Sequence, residues 1–182
     1  MSRKIILNLA TSIDGYIASE DGGYDWIVEG DDNSLDTNKN FEQEDFFTKF
    51  LERIDIVVMG KKCYDQGFYK DFKDKKVYVA TNEKLDNYEN IHFISGDICS
   101  IIENEKSKMG KDIYLFGGGV VIDNFIKKDI IDEYIIGIIP TILGNGRPLF
   151  LGNNPKIDLK LKDYIVDKGT VILIYERKNT NK

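Results

Sequence analysis

The chain has 182 residues, 42% of them hydrophobic and 31% charged, the balance of one soluble globular domain (residues 1–182) with room for a substantial core. Its formal net charge of −6 argues against wholesale binding to nucleic acid or to anionic membranes, so a phosphate site has to be a local pocket within an acidic surface. No apolar run reaches the length of a membrane span, and the one following Met1 is too short for a secretory signal. Two cysteines, Cys63 and Cys99, are too few for a disulfide framework or a cysteine-built zinc site and read as buried thiols in a reducing cytoplasm. The single histidine, His92, falls within a short apolar run, which removes histidine triads and multi-histidine metal sites from consideration.

In chain order, Lys4–Ala10 reads as a first strand, apolar on both faces and therefore central. Ser12-Ile-Asp-Gly15 is a turn, and Tyr16–Ala18 resumes as extended chain. Residues 20–40 are rich in Asp, Gly and Asn, broken by Tyr24, Trp26 and Ile27, the composition of a lid or binding loop. Asn40, with Gln43 three residues on, is placed to cap a helix whose apolar face is Phe46, Phe47, Phe50, Leu51 and Ile54. Asp55–Met59 is a buried strand ending at Gly60, and a short helix is expected over 61–66. Two further strands are expected at 76–81 and 91–95, then a helix between Asp97 and Lys108, a strand ending at Phe116 and a helix after Gly119. Beyond it, 133–139, 159–167 and 170–177 read as strands, with Asp167-Lys-Gly169 as a hairpin turn. Strand–helix alternation followed by a β-rich end implies a three-layer α/β fold, its mixed sheet parallel in the middle and antiparallel at one edge.

Ligands of open α/β sheets sit at the carboxyl ends of strands, and four segments carry unusual residues there. The first is Gly117-Gly-Gly119 followed by Val120, where an apolar strand runs into a helix with no side chains at the junction; bare N–H groups at such a point favour an anion. It lacks the G-x-G-x-x-G spacing of a dinucleotide fingerprint. The second is Gly60 with Lys61 and Lys62, of which Lys61 is the better anion contact and Lys62 a solvated cation. The third is Thr81-Asn82, short polar groups suited to a ribose or phosphate, or simply a polar loop start. The fourth runs from Asn8 through Asp14 and Asp25 to Trp26 and offers acids beside an aromatic wall.

Taken in order, Leu9-Ala-Thr-Ser-Ile-Asp-Gly-Tyr-Ile-Ala18, Asp25-Trp26, Met59-Gly-Lys-Lys-Cys-Tyr-Asp65, Phe116-Gly-Gly-Gly119 and Pro140-Thr-Ile-Leu-Gly-Asn-Gly-Arg-Pro-Leu-Phe150 resemble the dihydrofolate reductase-like superfamily. The resemblance is closest to small bacterial proteins related to the reductase domain of the riboflavin-biosynthesis deaminase/reductase. It implies a mixed eight-stranded sheet flanked by helices, a cytoplasmic homodimer, and NADPH, with NADH as the alternative, as hydride donor to a small heteroaromatic, pterin- or pyrimidine-like compound. On matching positions it implies that Ala10 and Ile17 hold the nicotinamide carboxamide and that Gly117, Gly118, Gly119 and Val120 receive the pyrophosphate. It also implies that Gly60, Lys61, Thr81 and Asn82 line the adenosine half, and that Asn8, Asp14 and Trp26 face the reacting rings. Asp14 and Asp25 are the candidate catalytic acids; no metal is expected.

The chain departs from the family pattern at Lys61, where arginine is common, at Asn8, where riboflavin-pathway reductases carry lysine, and at Gly117, where they carry glutamate. A nucleotide- or pterin-binding protein without catalysis is the alternative from another class, with true folate reduction less favoured.

Overall fold

Burial of both faces fixes Ile5–Ser12 (β1) at the centre of the sheet: Ile5 and Leu7 point into one core, Ile6 into the other, and all three are fully buried. The structure, a computed structural model, describes residues 3–28, 30, 34–36 and 43–178. After β1 come Tyr16–Ala18 (β2), a helix Gln43–Glu52 (α1), Ile54–Gly60 (β3), a short helix Lys61–Asp65 (α2) and a 3-10 helix Phe68–Phe72. Lys76–Ala80 (β4), Ile91–Ile94 (β5), Ile98–Lys106 (α3), Asp112–Gly117 (β6) and Gly119–Lys127 (α4) complete the alternating part. Glu133–Ile139 (β7), Arg147–Pro148 (β8), Leu159–Asp167 (β9) and Thr170–Arg177 (β10) make up the β-rich end. The sequence-predicted cap at Asn40 lies outside the described residues.

Eight strands form one sheet in the order β5-β4-β3-β6-β1-β7-β10-β9. The first six run parallel, and β10 and β9 add antiparallel at the edge. The β9–β10 hairpin turns through Lys168 (φ 46°) and Gly169 (φ 80°), two left-handed residues that match the twist of the flanking strands. The expected mixed sheet is thus the observed one.

Each face is covered. Ile102 of α3 and Ile122 and Phe125 of α4 pack with Ile5, Leu7, Ile113 and Leu115; Phe50 of α1 and Phe72 pack with Ile6, Val57, Val79 and Tyr114 on the other side. Full burial of such a side chain contributes about 1.5–3 kcal/mol, so these layers hold the helices firmly on both faces of the sheet. Asp97 caps α3 by accepting the Ser100 N–H at 3.1 Å.

The amino end of the sheet is closed by ion pairs: Arg53 bridges Asp112 and Glu133 (3.0 and 3.1 Å), Lys4 reaches Glu133 (3.0 Å), Lys106 meets Asp132 (2.6 Å), and Arg3 pairs with Asp55. The carboxyl end is built differently. Strand β1 continues two residues past the predicted Ala10, because Thr11 and Ser12 stay paired with Ile138 and Ile139 of β7. The tiny strand β8, unsignalled in the sequence, pairs with β2 in a separate two-stranded sheet that carries Arg147 over this end.

Candidate active site

A gap opens where β1 and β6 part. They pair only at Ile5–Leu7 with Ile113–Leu115, after which β1 follows β7 to Ser12 while β6 follows β3 to the Met59–Gly117 pair. In the paired part, Lys4 carbonyl accepts from Ile113 N–H on the β6 side and Ile5 carbonyl accepts from Asp132 N–H on the β7 side. Strand alternation therefore turns the backbone groups of Asn8 and Ala10 toward the departed β6. Asn8 carbonyl is met there by the Tyr114 hydroxyl, which donates at 3.0 Å. The N–H and C=O of Ala10 face the open gap.

On one side of this gap lies a cavity of about 500 Å³. Gly117, Gly118, Gly119 and Val120 form part of its wall, with Ile17, Cys63, Arg147 and Pro148 around it. Gly117 sits at φ +139°, a conformation that side chains rarely adopt, and its peptide bond to Gly118 is cis. Gly118 is the N-cap of α4 and offers no capping side chain, so the first amides of the helix are left to whatever enters the cavity. Two cations, Lys62 and Arg147, line the same cavity, and no carboxylate does among the described residues. An acidic protein thus has one locally cationic crevice, where anions are attracted and carboxylates kept away. Burial pushes the Cys63 thiol above its ordinary range, so it stays protonated at neutral pH.

A second cavity, about 430 Å³, opens on the α1 side and shares Asn8, Leu9, Ala10, Ile27 and Tyr114 with the first. It is walled by Phe46 and Phe47 of α1 and by Ile135 and Ile172. Burial drives the Tyr114 hydroxyl far above its normal pKa, which keeps it a neutral donor. The two cavities are lobes of one crevice: one charged and glycine-walled, one apolar and aromatic, meeting at the gap between β1 and β6.

Of the sequence-predicted residues, Asn8, Ala10, Ile17, Gly117, Gly118, Gly119 and Val120 come together in this crevice. Gly60 stands just behind it: a Cβ there would lie 3.2 Å from Val121 Cγ2 and 3.6 Å from Gly118 N, so glycine lets β3 press against the turn. Lys61 does not line either lobe. Its ammonium is held by Asp65 at 2.7 Å and lies 3.6 Å from Glu83, and the Asp65 hydrogen bond raises its pKa. Lys62, read from sequence as a solvated cation, lines the charged lobe instead, because one residue step along a helix turns a side chain by roughly 100°. Thr81 and Asn82 lie beyond β4 outside both lobes, and the Thr81 hydroxyl accepts from Glu83 N–H at 3.0 Å.

Asp14, Asp25 and Trp26 also stand outside both lobes. Asp14 is exposed and clamps a loop: it accepts from Ser12 Oγ (2.6 Å), Leu143 N–H (3.2 Å) and Gly144 N–H (2.8 Å). The Ser12 hydrogen bond is the chief reason its pKa lies below the ordinary 3.8. Asp25 is exposed, and the neighbours of Trp26, Tyr24 and Ile27, are the residues of that loop that reach the crevice. Among the described residues the buried indole N–H of Trp26 has no hydrogen-bond partner. Sequence reasoning missed Arg147, Tyr114 and Phe47 as site residues. The signal for Arg147 was present in Gly144-Asn-Gly-Arg147, a cation delivered by a turn, but its pairing with β2 was needed to aim it.

The sequence model of the RibD C-terminal domain matches residues 57–173. Two uncharacterized Bacillus subtilis proteins are similar over nearly full length: YwjB, 34% identical over 88% of this chain and 91% of its own, and YyaP, 31% identical over 95% and 94%. A structure from Shewanella sp. PV-4 assigned to riboflavin biosynthesis superposes with a TM-score of 0.78 at 31% identity, covering 98% of this chain and all of that one. The Thermotoga maritima diaminohydroxyphosphoribosylaminopyrimidine deaminase/5-amino-6-(5-phosphoribosylamino)uracil reductase shares the fold at 15% identity (TM-score 0.68, 97% of this chain and 57% of that longer one). So does Enterococcus faecalis dihydrofolate reductase, complexed with NADP(H), at 15% identity (TM-score 0.63, 98% of this chain and all of that one). With the eight-stranded sheet, its glycine-walled crevice and these matches in register, the chain belongs to the RibD C-terminal domain family and has the dihydrofolate reductase-like fold.

Proposed function

We propose that the protein is a reductase that uses a nicotinamide dinucleotide, NADPH first and NADH as the alternative, to reduce a small heteroaromatic, pterin- or pyrimidine-like compound. The observation that carries this reading is the two-lobed crevice at the β1–β6 gap. One lobe suits an anionic diphosphate, the other a flat apolar ring, and the two meet where β1 turns the Ala10 backbone toward the gap. The residues present fit the dinucleotide: Gly118 and Gly119 leave room for phosphate oxygens that a Cβ would occupy, and Lys62 and Arg147 are unopposed by carboxylates among the lining residues. Bound there, the dinucleotide supplies hydride.

The chain's own part is to bind, orient and exclude water. Helix α4 amides, Lys62 and Arg147 hold the diphosphate; Ala10 backbone groups are proposed to orient the carboxamide at the gap. Tyr24 and Ile27 cover the crevice from the loop side. With Asp14 and Asp25 outside both lobes, the proton is assigned to water rather than to either carboxylate, and Asp14 acts as a positioning residue for the loop at 143–147. A 2′-phosphate would meet Lys61, in competition with Asp65 and Glu83, both more than half exposed. A cytoplasmic homodimer completes the reading, consistent with the outward Leu161 and Tyr164 of β9.

The test is titration with NADPH and with NADH, followed by fluorescence of Trp26, the sole tryptophan. Saturable quenching is expected, weakened roughly tenfold or more in Arg147→Ala through loss of a charge-assisted contact. Folded protein that ignores both cofactors would refute the proposal.

A further inference from the structure

The apolar lobe constrains the substrate more narrowly, and this step rests on the reductase reading above. Among the described residues no Lys, Arg, Asp or Glu lines it. Its polar side-chain groups are those of Asn8 and Thr170 and the Tyr114 hydroxyl, the last already engaged by the Asn8 carbonyl, set among Phe46, Phe47 and Ile135. A phosphate moved from water into such a lobe finds no cation among the described lining residues to offset its desolvation.

Asn8 supplies the positive half of the argument. It shares a face of β1 with Ile6, whose side chain packs in the α1-side core, and it lines both lobes. Its backbone carbonyl is taken by Tyr114, but among the described residues its side-chain amide makes no hydrogen bond. A half-buried carboxamide offers one acceptor and two donors, the complement of a lactam edge, –C(=O)–NH–. The aromatic rings beside it offer apolar walls to a planar ring.

We infer that this lobe takes a neutral, unphosphorylated planar heterocycle whose lactam edge pairs with the Asn8 carboxamide. Phosphoribosylated pyrimidines of the kind named for the Thermotoga maritima enzyme are excluded. Affinity would come from ring burial, and orientation toward the gap from the single amide pair. The probes are quinazoline-2,4-dione and 5-amino-6-(5-phosphoribosylamino)uracil, titrated calorimetrically into the full chain with and without saturating NADP+. The dione should bind, and Asn8→Leu should weaken it about tenfold or more. The phosphorylated uracil should fail on the native protein and gain measurable binding in Phe47→Lys, a change at a partly exposed wall position of α1, with a thermal melt confirming that the variant is folded. Phosphorylated ligand binding the native protein as well as the dione, or dione binding indifferent to Asn8→Leu, would overturn the inference. A protein that binds the dione but not NADP+ refutes the reductase reading alone; one that binds NADP+ but not the dione refutes the substrate class alone.

Discussion

Gly119→Ala separates the needs of the fold from those of the ligand. A methyl at Gly119 would lie 3.5 Å from the Pro148 carbonyl and 3.7 Å from Ile17 Cδ1, both ordinary contacts. Gly119 opens α4, where alanine is the better helix former by up to about 1 kcal/mol. The variant should therefore melt at the same temperature as the native protein or slightly higher. The same methyl stands in the wall that the diphosphate has to approach, and one hydrogen bond to a charged group is worth about 1.5–3 kcal/mol. NADP+ affinity should fall roughly tenfold to a hundredfold. Calorimetric titration beside a thermal melt reads both quantities from one preparation. Gly117→Ala is the contrast, since φ +139° makes its cost fall on stability. A Gly119→Ala protein that melts normally and binds NADP+ as tightly as the native one would refute the glycine-wall reasoning.

Two further outcomes are expected. Asp14 has a folded-state pKa below its ordinary 3.8, so its stabilising effect is present above that value and disappears as the pH falls through the folded one. Asp14→Asn should lower the melting temperature at neutral pH, with the difference from native shrinking under acid conditions; a pH-independent difference in melting scans would contradict the clamp. Cys63 lines the charged lobe whereas Cys99 is buried, with burial and Asp97 raising its pKa to about 11. N-ethylmaleimide should therefore label Cys63 slowly and Cys99 hardly at all, and NADP+ should slow the first reaction; peptide mass mapping that finds Cys63 labelling unaffected by NADP+ would place the dinucleotide elsewhere.

The strand pattern was legible because parallel strands buried on both faces read as apolar runs, and Ile5–Leu7, Val57–Met59 and Ile113–Leu115 are such runs. Gly117–Val120 was legible for the same kind of reason, a backbone-only junction between strand and helix. Side-chain direction was not. Standing next to Gly60 favoured Lys61 as the anion contact, but the helix that follows pairs Lys61 with Asp65 four residues on and leaves Lys62 to line the crevice. Asp14 and Asp25 looked like acids near an aromatic wall, yet the Leu143 and Gly144 amides that occupy Asp14 come from 129 and 130 residues away in the chain. Such partners are set by tertiary packing, which no local pattern encodes. The split between β1 and β6 was hidden likewise, since a strand's sequence does not say how far its neighbour accompanies it.

That split divides the sheet into two plates. On one side β5, β4, β3 and β6 are laced together, on the other β1, β7, β10 and β9, and the seam between them is three register pairs long, against seven along the neighbouring β1–β7 border. A molecule seated in the crevice, as proposed above, would touch both plates and act as a dowel across the shortest joint of the eight-stranded sheet. Such occupancy would add to the cohesion of the sheet at its carboxyl end, while at the amino end Arg53, paired with Asp112 and Glu133, already ties the two plates together.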